Sequence, residues 1–229
     1  MFTTVAATED PVQRYVRSMT PFTDRLVALL PAGIVLPQPI LTTFDWLADN
    51  GYVDEATDHL HARLVPVGID SLSEVAVDVD PDFMTYWHDD ESKRDRVIPL
   101  FRTGGDGSHA GLWIDDDGRS RFVHLGSGSG STWSGVITDD AVDFLRFLAI
   151  GYDEPCWPEA HALTPEEVYA AEADDDDPPF TAPTAFQTFL RTAFAVDIPD
   201  RGVDIVTTAA DMDDDDPTDP FLIWLADRD

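Results

Sequence analysis

The clearest pattern of apolar runs and turns in this chain lies between residues 97 and 148. Four apolar runs follow one another there, at 97–101, 110–114, 121–125 and 133–137. A Gly-Gly-Asp-Gly turn at 104–107 follows the first run, and an Asp-Gly turn at 117–118 separates the second from the third. Glycine takes the positive φ of tight hairpin turns without steric cost, so the pattern predicts a β-hairpin. The fourth run predicts a further strand, followed by an amphipathic helix behind the cap of Asp139 and Asp140.

The segments before this region show helical patterns first and strand patterns after them. Apolar spacing predicts helices over 12–19, 22–30 and 40–48, and a helical turn within 57–63. Short apolar runs predict strands at 65–67, 75–79 and 83–88, with a charged loop at 89–96. The segment 75–79 alternates valine with smaller or acidic residues. This pattern predicts a strand with one buried face and one face toward solvent, as in an antiparallel sheet.

After Gly151 the chain is interrupted by prolines and by two runs of four aspartates, at 174–177 and 213–216. Helices are predicted over 164–173, behind a Thr-Pro-Glu-Glu start, and over 184–194. A strand is predicted at 203–207. The final apolar run at 221–226 carries enough apolar surface to dock onto the rest of the protein.

The charge balance narrows the partners that this protein can have. Lys and Arg number 14 against 45 Asp and Glu, which gives a formal net charge of −31, and Lys93 is the only lysine. Such a field repels phosphate backbones and anionic lipid headgroups, so binding to nucleic acid or to a membrane is not expected. It favours a basic protein partner, or it serves solubility alone.

The cysteine content and the N-terminal residues indicate the cellular compartment in which the protein is expected. Cys156 is the only cysteine, so an intramolecular disulfide is impossible, as is typical of proteins in reducing compartments. Residues 1–11 lack a basic segment followed by an apolar stretch, and no apolar run is long enough to span a bilayer. We therefore expect a cytoplasmic protein.

No motif in the chain indicates a catalytic centre, a metal site or a cofactor. The glycine turn at 104–107 lacks the Lys-Ser/Thr of a P-loop, and the hairpin turn at 115–118 lacks the ligand spacing of an EF-hand. His59 and His61 are two residues apart, which places them on different sides of a helix. The Gly-Ser repeat at 126–130 matches the letters of a nucleophile elbow, but its repetition is typical of a flexible loop.

Several of these segments together resemble the SUKH superfamily, which includes the yeast Smi/Knr-type regulator of cell-wall synthesis. The resemblance lies in Ile98-Pro99-Leu100 before the glycine turn, in Leu112-Trp113-Ile114-Asp115, in the run 133–137 before Phe144-Leu145-Arg146-Phe147-Leu148, in the segment 149–154 and, more loosely, in Phe44-Asp45-Trp46-Leu47 with Asn50-Gly51. It covers roughly half of the chain. Tyr52 stands where the family pattern has a second glycine, and the region after Pro155 lies outside the resemblance.

The resemblance implies an α+β fold, in which helices pack against an antiparallel or mixed sheet. We expect a SUKH-like domain over 1–155 and an acidic, helical C-terminal extension over 156–229 that docks on the same domain. Bacterial domains of this superfamily are mostly immunity proteins of polymorphic toxin systems, which bind a cognate toxin and have no catalysis of their own. Many such toxins are basic nucleases, and an acidic inhibitor is steered rapidly onto a basic surface.

This reasoning predicts a non-catalytic immunity protein whose carboxylates pair with basic toxin residues around an aromatic anchor. The predicted partner-binding residues are Asp89, Asp90, Glu91, Asp115, Asp116, Asp117 and Trp133. Trp87, Trp113 and Trp133 lie in or beside predicted strands, where tryptophan serves either the core or a binding surface. Two alternatives remain: a regulatory scaffold that organises other proteins, and a metal-dependent enzyme that uses the Asp and His content.

Overall fold

A computed structural model describes residues 19–54, 60–80, 82–88 and 90–227 of the chain. Its strands are β1 (Ala62–Arg63), β2 (Ala76–Val77), β3 (Val97–Arg102), β4 (His109–Ile114), β5 (Ser120–Leu125) and β6 (Ser134–Thr138). Its α-helices are α1 (Pro21–Ala28), α2 (Gln38–Asp49), α3 (Glu91–Arg94), α4 (Ala141–Ile150), α5 (Pro165–Glu172), α6 (Thr184–Phe194) and α7 (Pro220–Ala226). Short 3₁₀ helices lie at Phe83–Tyr86, Pro158–Ala162 and Gly202–Asp204.

The six strands form one antiparallel sheet in the order of the sequence, β1 to β6. With its packed helices, including those of the C-terminal region, this is the α+β fold that we expected. Strands β3 and β4 approach closely at Gly111, where a Cβ atom would clash with the carbonyl oxygen of Ile98. Glycine at this position therefore lets the two backbones pair beside the irregularity in β3 between Pro99 and Phe101.

Both faces of the sheet are covered, because side chains alternate in direction along each strand. Leu112 and Phe122 point into the larger core, which α1, α2, α4 and α6 complete. Trp113 and Val123, one residue further along, point into a second core on the opposite face. Helix α7 and the 3₁₀ helix at Phe83–Tyr86 close that second core. The C-terminal residues thus contribute to both sides of the sheet.

The ends of the helices follow local sequence signals. Asp140 caps α4, because its carboxylate accepts hydrogen bonds from the backbone N–H groups of Val142 and Asp143. Gly151 ends α4 in the left-handed conformation, at φ 103°. Thr164 and Glu167 form a capping box at the start of α5. The starts of α4 and α5 were predicted from two of these signals, the aspartate cap and the Thr-Pro-Glu-Glu start.

The hairpin of β4 and β5, the strand β6 and the helices α1, α2, α4, α5 and α6 confirm the corresponding predictions, as does the docking of the final apolar run as α7. The connection between β4 and β5 is longer than a two-residue turn. The backbone N–H of Asp115 bonds to the carbonyl of Arg119, and Gly118 takes a φ of +75°. The glycine therefore has the expected role in a longer loop.

Three predicted strands are wrong. Residues 65–67 form a bend and a turn, because Pro66 and Gly68, at φ +87°, impose a turn on the apolar run. The segments 83–88 and 203–207 contain 3₁₀ helices instead of strands.

The predicted loop at 89–96 contains helix α3, which begins where the Asp90 carboxylate accepts a hydrogen bond from the N–H of Ser92. In the predicted helical turn at 57–63, Ala62–Arg63 form strand β1. Residues 55–59, which include His59, lie outside the described part of the chain. Most of the predicted helix at 12–19 also lies outside it. Among the described residues, no helix has both the length and the apolar character needed to cross a membrane.

Candidate functional site

The hairpin tip, residues 115–117, was the first part of the predicted partner surface. Asp115 is only 8% exposed and turns back into its own loop. One carboxylate oxygen accepts hydrogen bonds from the backbone N–H groups of Asp117, at 3.0 Å, and Arg119, at 2.8 Å. The other pairs with Arg121 at 3.2 Å. Asp115 therefore shapes the hairpin tip and does not present its charge to a partner.

Asp116 and Asp117 do face solvent, with side chains that are 77% and 68% exposed. Asp116 accepts hydrogen bonds from Arg96, at 2.8 Å, and from the indole N–H of Trp224, at 3.2 Å. The hydrogen bond from Arg96 is the main cause that lowers the pKa of Asp116. Asp117 pairs with Arg119 at 3.2 Å. Both aspartates are thus exposed and held in place by arginine side chains.

Helix α3 lies beside the hairpin tip. Asp90 caps the helix, and hydrogen bonds from the hydroxyl and backbone N–H of Ser92 lower the pKa of its carboxyl group. Glu91 is exposed in the first turn, whereas Asp89 lies outside the described residues. The chain leaves α3 through Arg96, the residue that pairs with Asp116. The structure therefore brings the two predicted acidic segments to one side of the protein.

Trp224 of α7 connects these segments and was missed by the sequence analysis. Its indole lies under two cations, with Lys93 Nζ 5.3 Å and the Arg96 guanidinium 5.1 Å from the ring centroid. It also packs against Trp113, with ring centroids 5.5 Å apart. The only sequence signal for this role was the apolar run at 221–226, which indicated docking but not the surface to which the helix docks.

A groove of about 660 Å³ lies between the hairpin tip and α7, and we refer to it as the hairpin–α7 groove. Trp113 and Trp224 contribute aromatic surface to its lining, and Ile223, which is 51% exposed, presents an aliphatic side chain. Asp216 and Asp227 add exposed carboxylates to those of the hairpin tip. The groove therefore combines apolar surface with several negative charges.

Trp133, the predicted aromatic anchor, lies in the core. It is 2% exposed and stacks on His124, with ring centroids 4.0 Å apart and planes within 6°. The Nδ1–H of His124 donates to the carbonyl oxygen of Trp133 at 2.8 Å, and His124 Nε2 lies 2.9 Å from the Thr103 hydroxyl. Burial lowers the pKa of His124 to about 3, so the ring is neutral at pH 7. We therefore leave Trp133 out of the proposed partner surface.

The Gly-Ser segment at 126–130 is not the free loop that its composition indicated. The Asp106 carboxylate accepts hydrogen bonds from the backbone N–H of Ser131 and from the hydroxyls of Ser108 and Ser127, at 2.8–2.9 Å. Burial raises the pKa of Asp106, but these hydrogen bonds outweigh burial and lower it overall. One partly buried carboxylate thus ties the glycine turn at 104–107 to the serine-rich loop.

Within the part of the chain that the structure describes, no group of three or more His, Cys, Asp or Glu side chains is placed to hold a metal ion. Comparisons with known proteins give no relative: no family model, no curated protein and no solved structure matches this chain. The geometry of the sites is therefore the basis for the functional argument.

Proposed function

We propose that this protein is a SUKH-like immunity protein of the cytoplasm, which binds the basic domain of a cognate toxin and neutralises it by stoichiometric occlusion. The hairpin–α7 groove carries the proposal. It sets the exposed side chain of Ile223 among the carboxylates of Asp116, Asp117, Asp216 and Asp227. An apolar centre with a charged rim is the usual composition of a specific protein interface.

The charges of the groove favour a basic partner. The cation that lines it, Arg121, is paired with Asp115 at 3.2 Å, and Arg96 beside it is paired with Asp116. The exposed carboxylates of Asp216 and Asp227 lie opposite the hairpin tip and add to a net charge of −31. Such a field accelerates the approach of a basic protein and orients it on the groove.

The positions of the SUKH-like segments agree with this proposal. The Ile98-Pro99-Leu100 run lies in β3, and Leu112-Trp113-Ile114 lies in β4. The run 133–137 enters β6, and the Phe144–Leu148 segment lies in α4. The resemblance thus follows β3, β4, β6 and α4 in chain order, and the hairpin tip is the loop that follows β4.

The test begins with capture of proteins from a lysate of the organism that encodes this chain, at low and at high salt. Ile223→Glu and Asp216→Lys change the groove, and Asp175→Lys, in the other aspartate run, is the matched control for charge. We expect one toxin-like protein on the wild-type chain and on the control, with strong loss on both groove variants. The toxic activity of that protein should then fall to zero at one equivalent of the wild-type chain.

Three results would count against the proposal. If both groove variants retain the partner as well as the control does, the groove is not the interface. If the partner is bound but its activity is unchanged at saturation, the protein is a regulatory scaffold. If only a salt-labile mixture of basic proteins is retained, the acidic surface serves solubility and the immunity function is rejected.

A further inference from the structure

A second cavity lies away from the hairpin–α7 groove, beside the other end of β4. It has a volume of about 300 Å³, and we refer to it as the Trp157 cavity. Helix α5, the segment after α4 and the residues before β2 enclose it. Its link to the sheet is Glu154, whose carboxylate accepts a hydrogen bond from the backbone N–H of Gly105, in the turn that precedes β4. The two candidate sites are therefore separated by the length of that strand.

The walls of the Trp157 cavity are aromatic and aliphatic. Tyr152, Trp157 and Tyr169 line it, together with Val168 of α5. These rings are held by hydrogen bonds of their own. The indole N–H of Trp157 donates to Glu154 at 3.0 Å, and the hydroxyl groups of Tyr152 and Tyr169 donate to backbone carbonyls. Fixed rings around a small volume are typical of ligand pockets that are formed before the ligand binds.

Of the carboxylates that line the Trp157 cavity, Asp153 is the partly buried one without a partner, since Glu172 is exposed and Asp177 accepts a hydrogen bond from the backbone N–H of Asp174. Glu154 is already bonded to Trp157 and Gly105, and Glu74 pairs with Arg102 at 3.1 Å. The Asp153 side chain is partly buried, and within the described ranges it forms no hydrogen bond and no ion pair. Burial and the charge of Glu154 raise the pKa of Asp153 to about 6. A cation in the cavity would relieve this unfavourable environment.

The lining of the Trp157 cavity contains no lysine, arginine or histidine among the described residues. A metal ion needs several oxygen ligands within reach of one point, and the carboxylates of this cavity are not grouped to hold one among the described residues. The cavity offers Asp153 beside aromatic rings and aliphatic carbon. That combination suits a cation that carries a short apolar stem, since aromatic faces attract cations and the stem fills the apolar space.

We propose that the Trp157 cavity binds an organic cation, an alkylammonium or alkylguanidinium group, with Asp153 as its counter-ion and Trp157 and Tyr169 as its walls. This chemistry has two possible sources, a free amine and a lysine or arginine side chain of a bound protein. The site is distinct from the hairpin–α7 groove and gives the region after Pro155 a role of its own. It can hold whether or not the immunity function does.

The proposal is tested by titrating the full chain with n-butylammonium and n-butylguanidinium, and with n-butanol as the neutral control. The readout is the indole N–H resonance of Trp157 in ¹H–¹⁵N NMR spectra, identified by its loss in Trp157→Phe. We expect saturable shifts with the two cations, at dissociation constants that are roughly millimolar or lower, and none with n-butanol. Asp153→Asn should weaken binding by about tenfold or more, because it removes the counter-ion without changing the volume.

The matched control is Asp175→Asn, which removes one charge from an exposed position and should leave the titration unchanged. Equal binding of n-butanol, equal binding by Asp153→Asn, or no saturable shift would each overturn the proposal. A second arm compares butylammonium with the capped peptide Gly-Lys-Gly. Tighter binding of the peptide assigns the cation to a protein partner, and tighter binding of the free amine assigns it to a small molecule.

Discussion

Lys93 holds the end of helix α7 through the backbone of Trp224. Its ammonium group donates a hydrogen bond to the Trp224 carbonyl at 2.8 Å and another to the carbonyl of Asp227. The side chain is 9% exposed, and it comes from α3, more than a hundred residues earlier in the chain. A cation at the C-terminus of a helix also interacts favourably with the helix dipole. The only lysine in this acidic chain is thus a structural residue.

Replacement of Lys93 should therefore destabilise the fold through lost hydrogen bonds and not through lost apolar packing. In Lys93→Met, two carbonyl groups at the end of α7 lose their donor, which we expect to cost about 2 kcal/mol of unfolding free energy. Urea unfolding measures this loss, and Arg191→Met, at an exposed position of α6, is the control for removal of one cation. Equal stability of the two variants would show that Lys93 does not hold α7.

Two residues of α7 allow the stability of the helix to be separated from its proposed binding role. Phe221 is fully buried against Trp113, with ring centroids 5.3 Å apart, whereas Ile223 is exposed in the hairpin–α7 groove. Phe221→Ala should lower the unfolding free energy by about 3–5 kcal/mol. Ile223→Ala should change it by less than about 0.5 kcal/mol and still weaken capture of the partner. Comparable destabilisation by both would contradict the burial of Phe221 and the exposure of Ile223.

Local signals predicted much of the fold, but not the contacts between distant segments. The caps at Asp140 and Thr164 and the glycine of the β4–β5 loop act over a few residues, so they can be recognised from the sequence. The bonds of Lys93 to α7 join segments that no local pattern connects. In the same way, an aspartate-rich tip predicted three exposed charges, yet Asp115 turns inward because its loop offers backbone donors at the right distance.

The roles of the aromatic residues also could not be predicted from local sequence. Tryptophan is common both in cores and in interfaces, so the sequence could not decide between these roles for Trp133. The structure buries Trp133 against His124 and gives Trp224 the central position beside the hairpin tip. The Trp157 cavity was not predicted at all, because its walls come from three segments whose proximity depends on the complete fold.

His124 should make the protein less stable in acid. Its folded pKa is about 3, because of burial, whereas the unfolded value is about 6.5. Between these values the unfolded state binds the proton and the folded state does not, so stability falls as the pH drops below 6.5. This one group accounts for a loss of about 2 kcal/mol between pH 7 and pH 5.

The measurement is urea unfolding of the wild type and of His124→Gln at several pH values between 5 and 7. The variant should start from a lower stability, because it disturbs the contacts with Thr103 and Trp133, but its stability should fall less steeply with decreasing pH. His88→Gln, a partly exposed position, is the control for a change of histidine. If the unfolding free energies of the wild type and of His124→Gln fall in parallel with decreasing pH, the pKa of His124 is not lowered in the folded state.

Asp153 should have the opposite pH dependence. Its folded pKa, about 6, is raised above the ordinary value of 3.8 by burial first and by Glu154 second, and Arg63 opposes this only in part. The folded state therefore holds a proton more tightly than the unfolded state does, and stability is lost as the pH rises from about 4 to 6. At pH 7 the ionised Asp153 is a cost to the fold in the absence of a cation.

Asp153→Asn should accordingly stabilise the protein at pH 7 while it weakens the proposed cation site. Because the side chain is only partly buried, solvent screening reduces the expected gain to about 1 kcal/mol, and the gain should vanish near pH 4. Urea unfolding at the two pH values, with Asp175→Asn as the exposed control, measures it. A variant that is less stable than the wild type at pH 7 would mean that Asp153 already has a favourable partner, and this would remove the physical reason for a cation in the Trp157 cavity.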